Sequence, residues 1–307
     1  MNAVRARLDG DRWHWQHGPI DIVADAHGEP SAVAAAHEAA WQRFQGVLAE
    51  LVAELPLLRQ PVGDGPCPLT GPIARRMWQA CAPFGERFIT PMAAVAGSVA
   101  EELIACYRQS SIARAWLNNG GDIALHLAPG ESLSAGIVSD LDSFHFNSCL
   151  RPSLAGKAVI SFQDPVRGVA TSGWRGRSLS RGIADSVTVL AASASAADAA
   201  ATMIANAVNT LDPSIERRPA SSVRDDSDLG ERLVTVNVPP LPPALVRRAL
   251  DAGAACASVA QQRGLIHAAL MVCQGQWVEV EPICLKSPAP GAGTAVSARP
   301  VVGTALA

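Results

Sequence analysis

Strand-like segments in this chain come in neighbouring pairs joined by short turns, and this pattern constrains the fold more than any other feature. An apolar strand enters the turn at residues 118–122, and a strand of alternating polarity leaves it. Hairpins are likewise predicted over residues 5–15 and, near the C-terminus, over residues 265–280. Short turns join antiparallel neighbours, because parallel strands need long crossover connections. The sequence therefore predicts an α+β fold with a mainly antiparallel sheet.

Helical periodicity fills the intervals between the strands. Apolar residues recur at three-to-four spacing, which indicates helices with one buried stripe. These helices are predicted at residues 30–55, 91–107, 196–208 and 243–262, flanking the sheet. The charged, Pro- and Ser-containing stretch at residues 211–230 is predicted to be an exposed excursion.

Length and composition limit the classes of protein. Nearly half of the 307 residues are apolar and 17% are charged, which predicts a large core in residues 1–286, built as one domain or as two packed lobes. Residues 287–307 are rich in Pro, Gly, Ala and Ser and are predicted to be a disordered tail. The net charge of −3 argues against a nucleic-acid partner.

The location and redox state follow from what the sequence lacks. It has no apolar run long enough to span a membrane and no apolar signal-peptide core, which predicts a cytoplasmic protein without a membrane partner. Seven cysteines without a CxxC pair are expected to be reduced and mostly buried, and their spacing does not suit zinc.

The first candidate site is the glycine turn, which consists of Asn118, Asn119, Gly120, Gly121 and Asp122. Two glycines allow backbone N–H groups to approach an anion closely, and the flanking polar side chains can bind a ribose or an amide. The competing interpretation is an ordinary tight hairpin turn, for which Asn-Gly is the commonest signal. The pentapeptide alone favours the turn.

The second candidate is a polar stripe on the alanine-rich helix near residue 200. Asp198, Thr202 and Asn206 are spaced four apart and share one helix face. A carboxylate and a hydroxyl one turn apart can both reach a hard cation such as Mg²⁺. The alternative is a solvated helix face, although such a face usually carries several charged residues and this one carries only Asp198.

The third candidate is the connection at residues 170–187, which is rich in Gly, Ser and Arg. It contains Arg175, Arg177 and Arg181, which could bind phosphate or carboxylate. A solvated loop is the simpler interpretation, but the connection precedes the Asp198 helix closely enough to line the same cleft. No GxSxG, HExxH or P-loop pattern occurs, and isolated candidates such as His126, His145 and Cys149 have no partner pattern that marks them as catalytic.

Taken in order, these segments resemble the ApbE-like superfamily, whose best-known members are FAD:protein FMN transferases. The matching segments are PMAAVAGSVAEEL, NNGGDI, ATSG and SVTVLAASASAADAAAT, within about residues 85–210. The resemblance implies an ApbE-like fold, metal ligation by Asp198 and Thr202, and a flavin-nucleotide end of the cleft at the glycine turn. It implies Mg²⁺ as a cofactor, with FAD or FMN as ligand. The ligand-binding residues implied by position are Asn118, Asn119, Gly120, Gly121, Asp122, Ser172, Gly173, Ser178, Ser180, Arg181 and Asp185.

The chain departs from the flavin transferases in two places. It lacks their His-Ile-x-Asp-Pro segment, and Gly97 stands where a lysine is expected. It is closer to a short subfamily with a Ser-x-Ser-x-Gly-x-Ala-Asp pattern, here residues 178–185. Three hypotheses follow: Mg²⁺-assisted transfer or hydrolysis on a flavin-nucleotide-like or other anionic ligand, non-catalytic binding of a nucleotide or metabolite, and a purely structural role for these motifs. Covalent flavinylation of a protein target is not expected, and a homodimer is left open.

Overall fold

The computed structural model describes residues 2–138 and 154–282. The described chain contains thirteen strands, several of which are neighbours joined by short turns, as the paired pattern predicts. The strands are β1 (Val4–Arg7), β2 (Trp13–His17), β3 (Ile20–Gly28), β4 (Ile112–Asn119), β5 (Asp122–Leu127), β6 (Ser132–Val138), β7 (Leu154–Ser161), β8 (Gly168–Ser172), β9 (Ser186–Ala191), β10 (Glu216–Pro219), β11 (Leu233–Asn237), β12 (Ala268–Cys273) and β13 (Gln276–Val280).

One antiparallel sheet dominates the described chain. Its nine strands run in the order β1-β2-β3-β4-β5-β8-β9-β12-β13, and every neighbouring pair is antiparallel. The pairs β6-β7 and β10-β11 each form a separate two-stranded antiparallel sheet. The predicted α+β fold with a mainly antiparallel sheet is confirmed.

Helices follow the predicted periodicity closely. They are α1 (Pro30–Ala53), α2 (Leu55–Leu58), α3 (Pro72–Cys81), α4 (Val95–Ile104), α5 (Ala194–Ala207), α6 (Ala220–Val223) and α7 (Pro243–Gln262). Side chains cap the N-termini of two of these helices. Glu29 accepts the N–H groups of Ser31 and Ala32 at the start of α1, and Ser193 accepts the N–H of Ala196 at the start of α5.

The two faces of the sheet are covered differently. Ile22 and Ala24 of β3 pack with side chains of α1 and α4, whereas Val23 packs with Leu133 of β6 and Ile160 of β7. Alternate side chains of a strand point to opposite faces, so the period of two in β3 divides the core. A further core lies where β8, β9 and β12 pack against α5 and α7. Helix α5 can sit this close to its neighbours because most of its buried residues are alanines.

Two predictions need correction. The helix predicted at residues 91–107 is broken into a 3-10 turn (Pro91–Ala94), α4 and a second 3-10 turn (Ala105–Tyr107), because Ala94 leaves helical geometry at φ −127° and ψ 20°. The stretch at residues 211–230 is not a simple exposed excursion. It contains β10, which pairs with β11, and α6.

Some predictions fall outside the described residues, namely those for the tail at 287–307, for His145 and for Cys149. Across residues 2–138 and 154–282, none of the helices combines the length and the apolar character that a membrane crossing requires. Described cysteines are free thiols, namely Cys67, Cys81, Cys106, Cys256 and Cys273.

Candidate functional site

A cavity of about 450 Å³, the main cavity, opens beside α5. Its size falls within the range of small-molecule sites, about 300–1,000 Å³. One wall is apolar and comes from α1 and α2, including Leu48, Leu51 and Leu58. The opposite wall combines residues 88–96 with polar groups of α5 and of the loops at residues 178–181 and 224–229. The cavity therefore joins an apolar surface to a polar one.

Two carboxylates, Asp122 at the start of β5 and Asp198 in α5, lie together in the lining of the main cavity. Burial raises the pKa of Asp198 to about 7, against the opposing effect of hydrogen bonds from the N–H groups of Gly97 and Ala96. Burial, followed by the charge of Asp198, raises the pKa of Asp122 well above its usual range. A hydrogen bond from the N–H of Thr171, at 3.3 Å, acts in the opposite direction and lowers the pKa. We call these two residues the carboxylate floor.

Gly97 makes the floor possible, because α4 crosses α5 in close contact at this position. The Gly97 N–H donates to Asp198 Oδ2 at 2.9 Å. A Cβ atom at position 97 would clash with the carbonyl oxygen of Ala194 and stand 2.9 Å from Asp198 Cβ. Only a residue without a side chain lets the two helices approach this closely.

The predicted stripe on α5 runs along the cavity wall. Asp198, Thr202 and Asn206 all line the main cavity. Asn206 Oδ1 accepts the Arg181 N–H at 2.8 Å, which fixes the orientation of its amide group. Thr202 stands one turn from Asp198, so its hydroxyl oxygen and the carboxylate face the same space. The stripe faces a cavity rather than open solvent.

The glycine turn proves to be a tight turn that also delivers a cavity residue. Gly120 and Gly121 both have positive φ (65° and 116°), and Asn118 Oδ1 accepts the Gly121 N–H at 2.8 Å. Asn119 lines the main cavity and donates from Nδ2 to the carbonyl of Ala96 at 3.1 Å. Asn118, Gly120 and Gly121 shape the turn and are not part of the lining.

Ser178 and Arg181, from the third candidate segment, also line the main cavity, whereas Ser172, Gly173, Ser180 and Asp185 do not. Asp185 instead accepts the N–H of Gln274 at 2.5 Å and the indole N–H of Trp174 at 3.3 Å. A Cβ at Gly173 would clash with the carbonyl of Asp185, and Ser180 is buried against Asn206. These residues contact neighbouring segments and do not line the cavity.

Sequence reasoning missed four polar residues of the cavity lining. Thr90 donates from Oγ1 to Asp228 Oδ2, and Arg59 pairs with Asp226 at 3.3 Å. All four line the main cavity. The acidic run DDSD at 225–228 was a usable signal, but a run of charge next to prolines is more often a solvated loop.

The carboxylate floor fits a hard cation. Two carboxylates and the Thr202 hydroxyl are oxygen donors, which Mg²⁺ prefers, and Mg²⁺ is commonly held by one or two carboxylates with substrate phosphates completing its shell. Burial is the main cause of the raised pKa of both acids, and the charge of Asp198 adds to the shift of Asp122. A bound cation would stabilise the ionised form of both carboxylates. Within the described ranges there is no cluster of three or more His, Cys, Asp or Glu residues suited to a metal. Two carboxylates and a hydroxyl leave coordination positions that water or the phosphate oxygens of a bound molecule would fill.

Comparison with known proteins adds the following. A family model described as AbpE bacteria matches residues 5–279. The UPF0280 protein MK0206 of Methanopyrus kandleri is 36% identical over 168 residues, which is 53% of this chain and 61% of the relative. The UPF0280 protein of Methanosarcina acetivorans is 30% identical over 197 residues, 64% of this chain and 72% of the relative. The first three of these UPF0280 proteins are matched over only 50–61% of their own length.

Two solved structures are similar over most of the chain. The apo flavinyl transferase ApbE of Pseudomonas stutzeri shares 13% identity at a TM-score of 0.41, with 92% of this chain and 94% of that chain covered. The flavin transferase ApbE of Vibrio cholerae shares 12% identity at a TM-score of 0.35, with 92% and 99% covered.

Proposed function

This chain belongs to the family described as AbpE bacteria, and from that premise we propose that it binds Mg²⁺ with a phosphate-bearing, flavin-nucleotide-like ligand and acts on that ligand by transfer or hydrolysis. The carboxylate floor carries the proposal. Asp122 and Asp198 are far apart in sequence and converge in a cavity, where the burial of two like charges is costly unless a ligand compensates them.

Different residues of the cavity would bind different parts of the ligand. Asp122, Asp198 and Thr202 would hold the cation, which when bound neutralises phosphate charge and polarises a phosphoryl oxygen. Arg181 lines the same cavity and supplies a guanidinium for the phosphate oxygens. Leu48, Leu51 and the neighbouring apolar side chains offer a surface for a planar ring. This arrangement suits a ligand with an apolar ring at one end and phosphate at the other.

Asp198 has a pKa that marks it as a functional carboxyl group. Its pKa of about 7 lies where a carboxyl group can take up and release a proton near neutral pH. In the metal-free protein the group is protonated below that pH and ionised above it. A strongly shifted pKa of this kind is typical of active sites, and with Mg²⁺ bound Asp198 would be ionised and act as a ligand.

One observation favours the alternative, a non-catalytic nucleotide- or metabolite-binding protein. The described part of the cavity lining contains no histidine, cysteine or lysine. Apart from the carboxylates, that lining therefore offers only hydroxyl groups, those of Thr90, Ser178, Thr202 and Ser227, as nucleophiles or proton carriers. A carrier or accessory protein that has lost flavin transfer would keep the carboxylate floor and lose those groups.

Isothermal titration calorimetry with Mg²⁺, FAD, and the two together tests the binding. We expect FAD to bind only weakly without the metal, and each to strengthen the binding of the other. Asp198→Asn should remove this mutual effect, whereas Asp251→Asn, which changes an exposed carboxylate on α7 paired with Arg247, should not. Equal binding by wild type and Asp198→Asn would refute the proposal.

Product analysis separates the enzyme from the binding protein. Incubation of the wild type with FAD and Mg²⁺, followed by chromatography, should yield FMN or AMP at a rate that Asp198→Asn lowers at least tenfold. Tight binding without any product supports the non-catalytic alternative. We do not expect FMN to become attached to a Ser- or Thr-containing acceptor peptide, since the His-Ile-x-Asp-Pro segment is missing; mass spectrometry of the peptide would reveal such attachment.

A further inference from the structure

A second, smaller cavity of about 250 Å³ adjoins the main cavity on the far side of Asn206. Its lining includes three arginines and two asparagines but, among the residues that the structure describes, no Asp or Glu, so the lining is positively charged. We call it the arginine pocket. Its lining is Arg87, Phe88, Arg181, Met203, Asn206, Ala207, Asn209, Arg217 and Leu233.

The most buried guanidinium of the arginine pocket is held in place by neutral groups. Arg217 Nη2 donates to Asn209 Oδ1 at 2.6 Å and to the carbonyl of Thr210 at 3.1 Å. Asn209 is itself fixed, because its Nδ2 donates to the carbonyl of Arg181 at 3.1 Å. None of these partners carries a negative charge, and burial lowers the pKa of Arg217. The positive charge is therefore positioned without being neutralised.

The other two arginines likewise have no acidic partner among the described residues. Arg87 contacts only the sulfur of Cys256, at 3.7 Å, and no side-chain hydrogen bond or ion pair of Arg181 is found in that part of the chain. The amide of Asn206 adds donors, because its Oδ1 is committed to the Arg181 N–H and its Nδ2 group remains available. Arg232 lies over the ring of Phe88, 3.3 Å from the centroid, and adds further positive potential.

We propose that the arginine pocket binds a compact oxyanion, a phosphate monoester or a carboxylate, at a site distinct from the carboxylate floor. Guanidinium groups gathered without acids repel one another, and a bound oxyanion compensates all three. Their planar donors match phosphate and carboxylate oxygens. The asparagine amide supplies a neutral donor of the kind that completes such a shell.

The arginine pocket is continuous with the main cavity, which limits the kind of ligand. Phe88, Arg181, Met203 and Asn206 line both. Along α5, Asn206 lies about 12 Å from Asp198, since a helix rises about 1.5 Å per residue. Resting on the proposed function, this spacing points to an extended ligand with two anionic groups. One would meet the cation at the carboxylate floor, and the other would occupy the arginine pocket about 12 Å away.

Inorganic phosphate and succinate, each titrated in EDTA, test the pocket without the metal. Calorimetry of the wild type should show saturable binding of at least one of them, and the tighter of the two identifies the preferred oxyanion. Arg181→Gln and Arg217→Gln should each weaken that binding at least fivefold. Arg247→Gln changes an exposed arginine that pairs with Asp251, and it should leave the binding unchanged. No saturable binding, or equal binding by Arg181→Gln and wild type, would overturn the inference.

Two further variants keep the outcomes distinct. Arg217→Gln removes hydrogen bonds that brace its own loop, and Arg181 also lines the main cavity. Arg87→Gln is therefore decisive, because Arg87 lines the arginine pocket but not the main cavity. Asp198→Asn should retain phosphate or succinate binding in EDTA. If that binding persists while FAD and Mg²⁺ fail to bind the wild type, the proposed function is wrong and the arginine pocket stands. If FAD and Mg²⁺ bind but neither oxyanion does, the reverse holds.

Discussion

The backbone N–H of Gly97 donates to Oδ2 of Asp198 across 2.9 Å and joins α4 to α5 at the bottom of the main cavity. The flavin transferases that the sequence resembles are expected to carry a lysine at this position. Here the carboxylate is met by a main-chain donor instead of a side-chain charge. Because a neutral donor compensates an ionised carboxylate less than a cation does, Asp198 keeps a raised pKa and stays available for a bound cation.

We predict that Gly97→Ala destabilises the protein by about 1–3 kcal/mol, as over-packing in a tight core does. The new methyl group would clash with the carbonyl oxygen of Ala194 and would force α4 and α5 apart. Gly46→Ala in α1 is the matched control, since a Cβ there meets only Arg43 Nη1 at 4.0 Å and should add about 0.5–1 kcal/mol of stability. Urea denaturation of both variants measures the difference; equal stability would contradict the close helix contact.

We predict that the metal-free protein loses stability as the pH rises from about 4 to about 7. An unfolded Asp ionises near pH 3.9, whereas folded Asp198 holds its proton up to about pH 7. Between these values the folded state binds more protons, so stability is highest below the window and falls through it. Asp122, whose pKa is also raised, acts in the same direction. Melting temperatures across this pH range should show the fall, and Asp198→Asn should flatten it.

Divalent metal should reverse this dependence on pH. Mg²⁺ binds the ionised carboxylates, so its affinity should rise as the pH passes about 7, and saturating Mg²⁺ should stabilise the protein most at alkaline pH. Thermal melts with Mg²⁺ and with K⁺ at matched ionic strength make the comparison. A stabilisation that does not change between pH 6 and pH 8.5 would show that the metal acts elsewhere.

Thr202→Val should weaken Mg²⁺-dependent ligand binding less than Asp198→Asn does. The first change removes one neutral oxygen, whereas the second removes a charge from the carboxylate floor, and a hard cation depends mainly on the charge. We expect a few-fold loss for Thr202→Val and at least a tenfold loss for Asp198→Asn, measured by calorimetry with FAD and Mg²⁺. A larger loss for Thr202→Val than for Asp198→Asn would show that Asp198 is not the main ligand of the cation.

Asp185→Ala should lower stability and leave ligand binding intact. Its carboxylate accepts the N–H of Gln274, which has a positive φ of 46° in the turn between β12 and β13, and the indole N–H of Trp174. Loss of a largely buried acceptor that leaves two N–H donors unpaired costs about 1–3 kcal/mol. Chemical denaturation measures that loss, and calorimetry with FAD and Mg²⁺ checks binding. If the variant is folded but binds the ligand more weakly, Asp185 takes part in ligand binding.

The local pattern of the sequence was enough to predict the strand pairs and the main helices. Hairpins and amphipathic helices depend on contacts between residues close in the chain, so the glycine turn, α1 and α7 could be located without knowledge of the rest of the fold. The polar stripe of α5 was visible for the same reason. The break at Ala94 was not, because it depends on how residues 91–94 pack against α3 and α5.

The composition of the site, in contrast, was decided by tertiary structure. Asp122 and Asp198 come together only because β5 lies beside β8 in the sheet while α5 packs across both, and Gly97 lets α4 close over them. Arg87 and Arg217 join Arg181 from distant segments in the same way. Asp185, which was predicted from position alone to bind the ligand, instead accepts a hydrogen bond from Gln274 in the turn between β12 and β13. The sequence by itself determined which local elements form and which polar residues each carries. Only long-range packing decided which of those residues share a cavity, because burial and charge coupling exist only once distant segments meet.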